Sequence, residues 1–131
     1  MIDLKKVGKI VEVPCSDNFF RWWFEILKPI HHLTNRECDV ASAFFEKRYE
    51  LEKSISDPAL LDKVIMQEGC KKEIREKANV TPAFFQVIMG KLKKTGIIQE
   101  GRLNKKYVPN IKGGENVVGL TFIFKWKNLT E

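Results

Sequence analysis

Lysine and arginine are concentrated in one stretch of this 131-residue chain. Residues 71–112 hold 11 Lys and Arg against 3 Asp and Glu, a net charge of +8, whereas residues 34–68 hold 5 against 8, a net charge of −3. Solubility needs only a net charge, but attraction of a polyanion favours cations gathered on one surface. The distribution therefore points to a polyanion-binding surface, with a solvated charged face as the alternative.

The same stretch has the pattern of two short helices joined by a tight turn. We predict helices over residues 71–78 and 82–95, with a turn over residues 79–81. Thr81 should cap the second helix and Gly96 should end it. An extended hairpin over residues 97–108 follows, with its turn at Glu100 and Gly101, because the apolar period changes there. The side chains expected to pack between the helices are Ile74, Ala78, Val80, Phe84, Phe85, Ile88 and Leu92.

The segment KKEIREKANVTPAFFQVIMGKLKKTG resembles the helix-turn-helix of winged-helix regulators, and with the hairpin the resemblance covers residues 70–108. The resemblance implies that the second helix contacts DNA and that the hairpin, as the wing of the fold, contacts it as well. Two positions depart from the family pattern. Arg75 stands where a small residue is usual, and Asn79 stands where glycine is usual, although Asn enters the left-handed backbone region more readily than most residues.

One side of the second helix is small and polar. Gln86 suits the edge of a base, Gly90 permits close approach of the backbone, and lysines contact phosphates without reading sequence. The candidate nucleic-acid-binding residues are Thr81, Ala83, Gln86, Gly90, Lys91, Lys93, Lys94, Arg102, Lys105 and Lys106. The alternative is that these are solvated residues of a helical scaffold that contacts protein.

An aromatic helix is predicted over residues 17–28, ended by Pro29. Its aromatic side chains cover more than the one stripe that a surface helix needs, so it is either buried on nearly every side or in contact with another chain. In the second case a symmetric dimer is the commonest outcome. The candidate interface residues are Phe19, Phe20, Trp22, Trp23 and Phe24.

Hydroxyl and carboxylate residues mark the starts of the remaining helices. Thr34 and Glu37 have the spacing of a capping box, before a long helix that runs to about Lys53. Asp57 and Pro58 mark the next start. The buried stripe expected there is Leu60, Leu61, Val64 and Ile65, and we expect Gly69 to end this helix.

Strands are predicted near both ends of the chain. Val7 to Val13 reads as a short strand, and apolar residues alternate along residues 117–127. The fold class expected is α+β: a single domain over residues 1–131, mainly a helical winged helix-turn-helix, with a small antiparallel sheet of the wing and the two terminal strands.

The remaining composition excludes several classes of function. Cys15, Cys38 and Cys70 are odd in number and widely spaced, which suits reduced thiols in a cytoplasm. With His31 and His32 they form none of the close pairs typical of zinc sites, and nothing activates a cysteine nucleophile. We therefore expect no enzyme, metal or cofactor. No apolar run approaches the roughly 20 residues that a membrane span needs, and no signal peptide is recognisable.

The order of the segments WWFEILKP, LTNRE, FFQVIMGKLKK and YVPNI is similar to small uncharacterised proteins of crAss-like tailed phages of gut bacteria. This resemblance implies a phage origin and leaves two functions open. One is a DNA-binding transcription regulator in the cytoplasm of the host cell. The other is a virion component, a neck or portal-associated connector that uses the same fold to contact protein.

Overall fold

Helices dominate the part of the chain that is described, residues 18–109 of a computed structural model. The helices are α1 (Phe19–His31), α2 (Asn35–Leu51), α3 (Pro58–Ile65), α4 (Glu68–Ala78) and α5 (Pro82–Lys94). Two short strands, β1 (Ile98–Gln99) and β2 (Arg102–Leu103), pair antiparallel, and a 3₁₀ turn (Lys105–Tyr107) follows. The class is therefore α+β and mainly helical. The predicted terminal strands lie outside the described residues.

Helix α2 lies at the centre of the compact unit to which residues 18–108 belong. It contacts α1, α3, α4 and α5. Neighbours on several sides bury a continuous run in the middle of this helix, while its two ends carry charged residues. Its buried residues are Cys38, Val40, Ala41, Ser42, Ala43, Phe44 and Phe45.

Helix α1 continues past the proline that was expected to end it. The prediction was wrong: the fixed φ of proline fits a helical turn, and the helix continues through Pro29 to His31 although the Glu25 carbonyl loses the N–H that residue 29 would have donated. The end comes where His32 adopts a left-handed conformation with φ of 54°. The Leu33 N–H then donates to the Lys28 carbonyl at 3.0 Å.

The predicted helix caps are confirmed. The Glu37 N–H donates to Thr34 Oγ1 at 3.2 Å and the Thr34 N–H donates to Glu37 Oε1 at 2.8 Å, which completes the capping box. The Asp57 carboxylate accepts from the Ala59 N–H at 3.1 Å. Thr81 Oγ1 accepts from the Phe84 N–H at 3.2 Å. These bonds satisfy amides that have no partner inside their own helices.

Helix α3 is shorter than expected. It ends at Ile65 and α4 already begins at Glu68, so Gly69 lies in the first turn of α4 and the expectation that it ends α3 was wrong. A helix of 8 residues buries one narrow face. Leu61 and Ile65 are buried on that face, while Leu60, also expected to be buried, is 48% exposed.

The hairpin has the expected turn but a shorter second strand. Glu100 and Gly101 have φ of 56° and 72°, as a type I′ turn requires. Strand β2 ends at Leu103, not near Val108, because Asn104 caps the 3₁₀ turn that follows. Its side-chain amide donates to the Gly96 carbonyl at 2.9 Å, and its side-chain oxygen accepts from the Lys106 N–H at 3.1 Å.

The turn between α4 and α5 depends on Asn79, which has φ of 54°. A side chain with a Cβ carries a penalty in this region that glycine avoids, and Asn carries less of it than most residues. We expect Asn79→Ala to lower the free energy of unfolding by about 1 kcal/mol and Asn79→Gly to leave it nearly unchanged. Urea denaturation of both variants measures this. Equal losses would show that the Asn79 side chain, not its backbone conformation, stabilises the turn.

Candidate nucleic-acid interface

Helix α5 buries one face and exposes the face predicted from the sequence. Phe85, Ile88, Met89 and Leu92 form the buried face. The exposed residues include Ala83, Gln86, Gly90, Lys93 and Lys94, all expected to face outward.

The outer face of α5 is more apolar than the sequence pattern predicted. Phe84 was expected in the core, but it is 41% exposed, because it lies at the margin of the buried arc when residues are placed about 100° apart. Val87 is 67% exposed and was missed. Small and apolar side chains therefore occupy much of the surface that the polar residues were expected to define.

Gly90 lies in the interior of α5 without any packing reason. A Cβ added there would meet no heavy atom within 4 Å. Glycine in a helix interior is less favourable than alanine by about 1 kcal/mol. The internal structure of the chain therefore does not explain glycine at this exposed position.

Two ion pairs of opposite sense join α2 to α4. Lys77 of α4 is paired with Glu46 of α2, and Glu73 of α4 is paired with Lys47 of α2. One pair neutralises a cation of residues 71–112 and the other neutralises a carboxylate. Together they leave the excess positive charge of residues 71–112 unchanged.

Four lysines follow the outer face of α5 and the hairpin. Among the described residues, no carboxylate oxygen lies within 4.0 Å of Lys93, Lys94, Lys105 or Lys106. An open groove of about 490 Å³, lined by residues 93–96 and 98–101, separates the end of α5 from the hairpin. Within the part of the chain that is described, none of these four lysines is in a direct ion pair, although Glu100 lines the same groove.

Arg102 differs from the neighbouring lysines. Its guanidinium is paired with Glu100 at 3.3 Å across the hairpin turn. Its charge is therefore partly compensated in the free protein. Arg102 contributes less to the basic surface than the sequence suggested.

Arg75 fits between α4 and α5 by lying over an aromatic ring. Its guanidinium carbon is 5.4 Å from the centroid of Phe85, and Nη2 is 2.7 Å from Glu68 Oε1. Arginine can cover apolar surface with its stem while its charge remains paired. The departure from the family pattern at this position is thus accommodated without a cavity or an unpaired charge.

The end of α1 lies beside α5, which the sequence did not predict. Lys91 Nζ donates to the His32 carbonyl at 3.3 Å, so the flank of α5 meets the C-terminus of α1. Burial lowers the pKa of His31 below 6.5, and the charges of Lys106 and His32 lower it further. No local pattern signals this arrangement, because the contacting residues are far apart in the chain.

Most of the candidate interface aromatics are packed inside the chain. Phe20, Trp23 and Phe24 are buried, which agrees with the core alternative for these three residues. Phe19 is half-buried, and Trp22 is 41% exposed. Only Phe19 and Trp22 of the five therefore have surface with which to contact another chain.

The two described cysteines have raised pKa values. Burial raises the pKa of Cys38 to about 11, and its Sγ lies 3.6 Å from the Phe24 carbonyl oxygen. Burial also raises the pKa of Cys70. Cys15 lies outside the described residues. Within residues 18–109, no three His, Cys, Asp or Glu side chains are grouped as metal ligands, and no helix is long and apolar enough to cross a membrane.

Comparison of the chain with models of protein families, with curated protein sequences and with solved structures finds no match. The resemblances to winged-helix regulators and to phage proteins stay predictions.

Replacement of Gly90 tests whether its small size serves the fold. We expect Gly90→Ala to raise the free energy of unfolding by about 1 kcal/mol, because alanine is the better helix former and the site is open. Gly96→Ala is the control and should destabilise, since Gly96 has φ of 83°. Thermal and urea unfolding measure both variants. A loss of stability in Gly90→Ala would indicate a structural need for this glycine.

Proposed function

We propose that the protein is a non-enzymatic, winged-helix DNA-binding regulator whose α5 enters the major groove. The observation that carries the proposal is the set of lysines without counter-charge that continues from α5 to the turn after the hairpin. A compensated structural surface would pair such lysines with carboxylates, as Lys47 and Lys77 are paired with Glu73 and Glu46. A surface of uncompensated cations gains free energy when it binds phosphates and releases their counterions.

The outer face of α5 suits contact with base edges. The major groove admits an α-helix, and apolar side chains contact the thymine methyl group there. Ala83 and Val87 supply such contacts, and Gln86 can form a bidentate pair with adenine. Gly90 lets the helix backbone approach the DNA closely. This role accounts for a glycine that has no packing function inside the chain.

Phosphate contacts would come from the two ends of α5 and from the hairpin segment. Thr81 already uses its oxygen to cap α5, and its hydroxyl proton remains free to donate to a phosphate. Lys93 and Lys94 line the groove beside the hairpin. Lys105 and Lys106 lie in the turn that follows the hairpin in the chain. Arg102 would join them once a phosphate competes with Glu100. These contacts position the protein and carry no sequence information.

A duplex-binding measurement tests the proposal. We expect Lys93→Ala/Lys94→Ala to weaken binding of duplex DNA. The slope of log affinity against log salt concentration should become less steep by about 1.8, because each phosphate contact contributes about 0.9 to it. Fluorescence anisotropy with duplex DNA over a salt series measures the slope. Lys53→Ala/Lys63→Ala is the matched control, since it removes the same charge from exposed positions before α4. Absence of duplex binding at low salt, or an unchanged slope, would contradict DNA binding.

A protein-interaction or virion connector function is the second candidate. The exposure of Phe84 and Val87 on one face of α5 favours it, because exposed apolar surface commonly marks protein contacts. Such a module would be part of the virion, if the phage resemblance holds, and would bind neck or portal proteins.

Oligomeric state separates the two candidates. For a regulator we expect light scattering to give a monomer or dimer, because paired half-sites need no larger assembly. Val87→Glu should leave that state unchanged. Leu60→Glu controls for a charge placed on another exposed apolar residue. A ring-sized assembly that Val87→Glu dissociates and Leu60→Glu does not would favour the connector.

A further inference from the structure

Basic side chains from three elements lie near the C-terminal end of α1. The ring of His31 packs edge-to-face on Tyr107, with centroids 5.1 Å apart. Lys106 Nζ lies 5.3 Å from the centroid of the Tyr107 ring. Lys91 of α5 reaches the cluster through the His32 carbonyl, at 3.3 Å. We call His31, His32, Lys91 and Lys106 the α1-end cluster.

Packing holds this cluster together. Tyr107 is buried, and the Trp23 indole N–H donates to its carbonyl oxygen at 2.8 Å. The segment that carries Lys106 is thereby attached to α1. The side chain of Lys106 is exposed and therefore remains accessible to a ligand.

The cluster has no local counter-charge within residues 18–109. No carboxylate oxygen there lies within 4.0 Å of Lys91, Lys106 or the two histidines. Glu25, an acidic residue of α1, contacts Arg21 at 2.6 Å and Lys28 at 3.8 Å instead. Lys106 opposes protonation of His31 when no anion is present, and a bound anion relieves that repulsion.

We propose that the α1-end cluster binds a phosphate group and that His31 becomes protonated when the phosphate is bound. The inference rests on the proposed function where the phosphate belongs to DNA, since Lys91 lies on α5 and Lys106 follows the hairpin. A nucleic-acid backbone and free phosphate offer the same chemistry to these cations. An NMR titration with each of these ligands distinguishes the two sources.

The direction of the pH dependence follows from the neighbours of His31. Burial, Lys106 and His32 all lower the pKa of His31, and the other group against its ring is Tyr107. A bound phosphate opposes these effects and raises the pKa of His31. The ligand therefore binds more tightly as pH falls through the interval between the free and the bound pKa.

The test is an NMR titration of the histidine rings in the full chain, which has only 2 His. We expect a short DNA duplex to raise the pKa of His31, and duplex affinity to rise about three- to tenfold between pH of about 7.5 and about 6. His31→Gln should abolish most of this pH dependence and leaves His32 as the only histidine signal. Inorganic phosphate, at the phosphate concentration of the duplex, is the second ligand.

Lys106→Gln gives a second variant that keeps His31. Loss of the Lys106 charge should raise the pKa of His31 in the free protein and reduce the shift that the ligand causes. A shift with the duplex alone identifies the nucleic-acid backbone as the source, whereas a shift with phosphate as well identifies a general phosphate site. Both results support the cluster as a phosphate site.

Two failures can be told apart. A duplex that binds through Lys93 and Lys94 but leaves the pKa of His31 unchanged overturns the α1-end cluster and leaves DNA binding standing. A phosphate-induced shift without any duplex binding overturns DNA binding and leaves the cluster standing. If neither ligand moves the pKa of His31, the inference is wrong.

Discussion

The contact between Phe44 and Phe85 determines where α5 lies, and the rest of the candidate site depends on it. The two rings stack with centroids 6.0 Å apart, and both side chains are fully buried. On α2, the neighbouring Phe45 packs against Phe24 of α1 at 5.0 Å. A single central helix thus positions both α1 and α5. Close packing leaves each of them little freedom to rotate, so the outward faces are set by the core.

The same central helix is also joined to α4 by ion pairs. Its Glu46 and Lys47 are paired with Lys77 and Glu73 of α4. Surface ion pairs of this kind contribute only about 0–1 kcal/mol each to stability. They leave the net charge of α4 unchanged, because one neutralises Lys77 and the other neutralises Glu73. Among the described residues, the lysines without a carboxylate oxygen within 4.0 Å therefore include Lys71 and Lys72 of α4 as well as Lys93 and Lys94 of α5.

The features that the sequence predicted correctly are those decided within a few residues. Thr34 and Thr81 cap their helices through amides three residues away, and such contacts are visible in the spacing. Features decided by distant residues were missed. Asn104 ends β2 by bonding to the Gly96 carbonyl, and Trp23 fixes the segment at Tyr107, 84 residues further along the chain. The α1-end cluster belongs to this second kind, because no local pattern places His31 near Lys106.

Cations lie on both flanks of the outward face of α5 and also within it. At about 100° per residue, the outward arc from Lys93 to Lys91 spans about 160° and carries Val87, Gly90 and Lys94. Lys91 joins the α1-end cluster, whereas Lys93 borders the groove beside the hairpin. A major groove about 12 Å wide has a phosphate backbone along each side. In the proposed DNA-binding role, the cations on the two flanks of α5 would face these two backbones, and Lys94 adds a third charge between them.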